Sequence, residues 1–241
     1  MPSVRLFRFI TLAVAVFALL LLLVSGPGTK HGWWDWHIGL LAFQFAAYIG
    51  IAAAAAALVL ILFMAHPRHR ARPWLPIVAL CIGLLAVAPP LILRGQAKQV
   101  PPIHDIATDT QDPPSFVALA PAREQSPNKS AYGGAEIAAQ QQKAYPDLHP
   151  KLLSVPPAEA VQKALDAARA CGWEVVSTDA PSGRIEATDT TRWFGFKDDI
   201  VVRVRPDPNG SRVDVRSASR VGRSDIGKNA ERVREFLGRL G

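Results

Sequence analysis

Acidic side chains are almost missing from the first hundred residues of this chain, where Asp35 stands alone. Cysteine is nearly as scarce: Cys81 and Cys171 are the only two, too few for a disulfide framework or a C-x-x-C redox or metal motif. No G-x-S-x-G, G-x-x-x-x-G-K-[ST] or H-E-x-x-H sequence occurs, so the common hydrolase, nucleotide-binding and metalloprotease signatures are lacking. Charge is also missing inside three long apolar runs, which argues against an ion or proton pathway through them.

The 241 residues carry 27 basic and 20 acidic side chains, a net +7 that suggests a nucleic-acid partner. Their distribution removes that reading. Residues 1–100 hold eight Lys and Arg against Asp35, and the remainder holds 19 of each sign. The excess therefore belongs to the apolar half.

A helix crossing a hydrocarbon core of roughly 30 Å needs about 20 mostly apolar residues. Residues 9–28, 38–65 and 74–93 qualify, so residues 1–94 are expected to form a three-helix transmembrane region. The loop 66–73 contains Arg68, Arg70 and Arg72, and Arg5 and Arg8 precede the first span. By the positive-inside rule this places the N-terminus and that loop in the cytoplasm. Everything after the third span then lies outside, in the periplasm of a bacterial inner membrane, although Arg94 and Lys98 weigh the other way. The first span also approaches a signal peptide in pattern, but Ser25-Gly26-Pro27-Gly28 offers no A-x-A cleavage site. Trp33, Trp34 and Trp36 fit an interfacial aromatic belt. Ala42, Ala46, Gly50 and Ala54 form a small-residue ridge, for packing against another span or for self-association.

Residues 95–156 are rich in proline and read as a linker, a tether that lies over or leads to a compact module, with one short helix at 135–145. From Pro157 the pattern changes to an amphipathic helix ending at Gly172, four strands at 173–178, 184–190, 199–205 and 212–217, and a last helix starting near Ser224 and Asp225. The expected fold of 157–241 is an α+β two-layer sandwich: helix, four antiparallel strands, helix. Val202, Val204, Val213 and Val215 should face the core, with Arg203, Arg205, Arg212, Asp214 and Arg216 on a wet opposite face.

Two segments carry chemistry. The run from Arg216 through Arg220, Arg223, Ser224 and Asp225 gathers arginines at a strand end and helix start, an arrangement that suits an anion. Its structural alternative pairs those arginines with Asp189, Asp198 and Asp199 and leaves Ser224 and Asp225 as caps. The segment Arg192-Trp193-Phe194-Gly195-Phe196 serves as a core lid or as a contact surface for a partner protein or lipid. His104 and His149 are too far apart to suggest a metal site, and no cofactor is implied.

Residues 101–106 (PPIHDI), 172–176 (GWEVV), 184–189 (RIEATD), 193–199 (WFGFKDD) and 216–227 (RSASRVGRSDIG) closely resemble the bacterial domain of unknown function 1499 family. The resemblance covers about residues 100–241; several members share an N-terminal membrane part, and no activity comes with it. The expected function is therefore a binding or assembly module in the cell envelope, with Arg216, Arg220, Arg223, Ser224, Asp225, Arg192, Trp193, Phe194 and Asp199 as its candidate residues. An envelope-acting enzyme using Asp198 or Asp199 as general acid/base is the alternative.

Overall fold

The computed structural model describes residues 2–67 and 72–241, with side chains from Val4 onward. Arg68 and Arg70, on which the expected cytoplasmic placement of the loop 66–73 partly rests, lie outside the described residues. The chain divides into two compact units, residues 1–96 with 192–195, and 97–191 with 196–241.

The helical unit contains α1 (Pro2–Lys30), α2 (Trp36–Ala65) and α3 (Trp74–Ala97), each long and apolar enough to span a membrane. Asp35 caps α2, its carboxylate accepting the His37 N–H at 2.9 Å. Ala15, Ala53, Ala57 and Ala79 form the seam between helices, while large apolar side chains such as Phe9, Leu41, Leu62 and Leu85 point outward. That inversion of a soluble core is what a lipid solvent dictates. The small-residue ridge is used within the chain: Ala46, Gly50 and Ala54 are buried, and Gly50 meets Gly83 of α3 so closely that a Cβ on either would come within 2.9 Å of the other's carbonyl oxygen. Packing against another span, one of the two uses expected of this ridge, is thus seen at Gly50 and Ala54 against α3.

The second unit is built on one antiparallel sheet of β1 (Asp105–Ala107), β2 (Lys151–Leu153), β3 (Glu174–Asp179), β4 (Arg184–Thr190), β5 (Lys197–Asp207) and β6 (Gly210–Ser219). Its order is β1-β6-β5-β4-β3, and β2 shares with β1 the free edge of β6. Between the strands lie α4 (Ala120–Glu124), α5 (Gly134–Ala144) and α6 (Pro157–Ala170), and α7 (Lys228–Arg239) closes the chain. Pro157 opens α6, and Gly172 at φ +78° closes it: the Gly172 N–H reaches Arg169 O and the Trp173 N–H reaches Ala168 O. This is the Schellman pattern, which only glycine enters without cost.

The first face of the sheet is the expected core. Val202, Val204, Val213 and Val215 pack with Ile185, Ile200 and the apolar stripes of α6 and α7, and Trp173 stacks on Phe236 at 5.1 Å. Each such fully buried aliphatic or aromatic side chain contributes about 1.5–3 kcal/mol.

The opposite face departs from expectation. It is charged, but largely buried: Asp214 and Asp199 are wholly inaccessible and Arg216 is 2% exposed. What covers it is the proline-rich stretch, which is no free linker. Residues 105–107 and 151–153 pair with β6, Phe116 and Leu119 pack on Val201 and Ala218, and α4 lies against the same side. The described architecture is thus an antiparallel sheet with helices on one face and a proline-rich cover on the other. Prolines suit such a cover because it needs few ladder hydrogen bonds of its own.

Candidate functional site

Two ionic networks, one on each sheet face, lie where β4 and β6 end and β5 begins, and a third joins Arg203, Arg205 and Arg212 to Asp109, Asp112 and Asp214. On the covered face, Asp199 of β5 accepts from Arg220 through Nε and Nη2, each at 2.8 Å, from Arg123 Nη1 at 3.0 Å and from Thr188 Oγ1 at 2.9 Å. Arg123 is 1% exposed, and it also donates to the Ala218 and Lys129 carbonyls while lying over the Phe116 ring at 4.7 Å. Burial pulls its pKa down, against the raising effect of Asp199. Arg216 makes the second pair, a two-pronged bond to Asp105 at 2.9 and 2.7 Å, and is flanked by Phe116 and Tyr132. The Tyr132 hydroxyl beside it is pushed up to about 12 by burial and the Asp105 charge.

On the core face, Arg232 of α7 joins Asp198 at 2.8 Å and Asp189 at 2.8 Å, and it also meets Asn229, whose amide reaches Ser219 Oγ and the His104 carbonyl. Burying an arginine is costly unless its charge is paired and its donors are met; Arg123, Arg216 and Arg232 each contact a carboxylate, while Arg123 Nε is left without a hydrogen-bond partner.

The expected site residues therefore separate. Arg216 is sealed inside with Asp105, and Arg220, 18% exposed, is committed to Asp199. Arg223 is exposed, with no carboxylate partner among the described residues. It sits in a turn that is unusually constrained: Gly222 and Gly227 have φ of +89° and +81°, and Ile226, a β-branched residue, has φ +57°. Ser224 Oγ accepts the Ile226 N–H, and the Asp225 carboxylate accepts the N–H groups of Gly227 at 2.8 Å and Asn229 at 2.6 Å. Asn128 ties the approach through the carbonyls of Ser219 and Gly222. Consequently α7 begins at Lys228, a few residues later than expected, because Ser224 and Asp225 brace the turn before the helix. Burial pushes the Asp225 carboxyl up, opposed by its two N–H donors.

Arg192, Trp193 and Phe194 fall with the helical unit, and Arg220, Arg223, Ser224 and Asp225 with the sheet unit. Asp198 and Asp199, the alternative acid/base pair, both lie in ionic clusters on opposite faces of β5. His104 contributes its backbone carbonyl to the core-face cluster, and among the described residues no three His, Cys, Asp or Glu side chains converge as a metal site. Cys81 and Cys171 are both free thiols.

Neither Arg123 nor Arg232 is marked by any local sequence pattern as a member of these clusters. Asp105 does lie in the 101–106 motif, but nothing local assigns it to Arg216 across 111 positions. A family model described as protein of unknown function (DUF1499) matches residues 105–240. No curated protein matches the chain.

Proposed function

The chain belongs to the DUF1499 family of proteins of unknown function, and from that premise we propose that it is a membrane-anchored binding module of the bacterial envelope. In this reading the three spans place the N-terminus in the cytoplasm and hold the sheet unit in the periplasm, where the turn 222–227 presents Arg223 to an anionic group on a ligand or partner. One observation carries it. An uncompensated cation stands on a turn that holds Ile226 at φ +57° and is braced by Ser224, Asp225 and Asn128. Strained backbone persists only where its surroundings enforce it, and a side chain carried on a fixed backbone has less chain entropy to lose on binding. Binding is favoured over catalysis because Asp199 already accepts from two arginines and Thr188, and Asp198 from Arg232, so both carboxylates are held in contacts within the fold.

Arg223→Glu tests the surface without disturbing a buried pair. Under a condition where deleting the gene weakens the envelope, the variant should reach the membrane at normal levels and fail to complement. Full complementation by Arg223→Glu, where removal of residues 97–241 does not complement, refutes the site. Placement is read separately from a C-terminal alkaline phosphatase fusion, which is active only on the periplasmic side.

A further inference from the structure

The segment Arg192–Gly195 is grouped with the helical unit, and its contacts there are specific. The Trp193 indole lies directly over Gly26 of α1, where a Cβ would come within 2.1 Å of the ring. Phe194 meets Phe43 of α2 edge to face at 5.7 Å, and Lys30 Nζ donates to the Arg192 carbonyl at 3.3 Å. Gly195, at φ +71°, rests against Lys30 with no room for a side chain. Lys30 ends α1, and Trp33 and Trp34 follow after His31 and Gly32, so these groups share the end of the span where apolar helix gives way to polar chain. Indoles concentrate at that depth because one edge of the ring is apolar and the other donates a hydrogen bond.

Three features remain unspent. Trp193 keeps 43% of its surface exposed, Arg192 and Lys30 are both exposed, and among the described residues neither cation has a carboxylate partner. The nearby acid, Asp35, is engaged by His37 at 2.5 Å. We propose that Trp193, Arg192 and Lys30 form an interfacial lipid site, with the indole at headgroup depth and the two cations holding the phosphate of an acidic phospholipid. The occupant follows from continuity with the lipid-facing belt of α1 and α2 and from the sign of the uncompensated charge. The site is independent of the Arg223 turn.

The test uses the full chain in nanodiscs of phosphatidylcholine with phosphatidylglycerol at 3:1. The fluorescence difference between wild type and Trp193→Phe isolates this indole; acyl-brominated lipid should quench it and aqueous iodide should not. Retention of phosphatidylglycerol, counted by native mass spectrometry, should fall about fivefold for each of Lys30→Gln and Arg192→Gln, from the usual attraction of one surface cation for acidic lipid. Lys30→Arg should restore it. Iodide quenching of the Trp193 signal overturns the proposal, as does an indole shielded from both quenchers, which would indicate a protein contact. Unchanged phosphatidylglycerol retention in the double variant overturns it equally.

Discussion

Glu186→Gln should release the proline-rich cover from the sheet. Glu186 is 1% exposed, and its carboxylate accepts three backbone N–H groups: Val117 at 2.8 Å and Ala118 at 3.0 Å on one oxygen, Leu119 at 2.8 Å on the other. A glutamine of the same shape can keep its carbonyl toward Val117 and Ala118, but its NH2 then faces the Leu119 N–H, donor against donor. The two remaining bonds lose their ionic character as well. A hydrogen bond to a charged group is worth about 1.5–3 kcal/mol, and an unpaired buried N–H costs about 1–3 kcal/mol, so about 2–4 kcal/mol of local stability should go. At 1.36 kcal/mol per decade, protection of amides in residues 112–132 against hydrogen exchange should drop about 30- to 1,000-fold. Exchange followed by mass spectrometry on the full chain in nanodiscs measures this, with Glu174→Gln on the exposed edge strand β3 as the unaffected control. Protection in 112–132 within about threefold of wild type would mean that Glu186 does not hold the cover, since even 1 kcal/mol is about fivefold.

Two further substitutions probe other parts of the argument. Gly50→Ala should lower the melting temperature in detergent, because its Cβ would approach the Gly83 carbonyl at 2.8 Å; overpacking of about 1–3 kcal/mol outweighs the roughly 1 kcal/mol that alanine gains in a helix, and Gly95→Ala, with open space around it, should not lower it. A raised or unchanged melting temperature for Gly50→Ala would separate α2 from α3 at this point. Asp225→Asn should gain on wild type as pH rises: the folded-state pKa of Asp225 is raised, so the folded protein binds the extra proton between the ordinary carboxyl range and that higher value, and its ionisation costs stability across that window. Melting of the two proteins compared at pH 3.5 and 7 reads the sign, and a variant that loses ground at the higher pH contradicts the burial argument.

The parts of the fold that follow a period were legible. The three spans, α6 with its Gly172 stop, and the alternation of β5 and β6 each repeat a local rule over many residues, and the structure places them within a few positions of expectation. Alternation assigned Arg203, Asp214 and Arg216 to the correct side of the sheet but could not say what lies over that side. The cover is held by partners distant in the chain, Arg123 with Asp199, Asp105 with Arg216 and Glu186 with residues 117–119, and none leaves a local pattern. Proline removed the ladder signal by which such a segment would otherwise announce itself. Residues 101–241 carry 19 cations and 19 anions, a balance that leaves enough acids for each buried arginine to meet a carboxylate in contact, as its burial requires. The same balance gives meaning to its exceptions: a cation with no partner, such as Arg223 on its braced turn or Arg192 beside Trp193, lies outside that requirement, which is the physical reason for seeking the ligand there rather than at the more numerous arginines of the sheet.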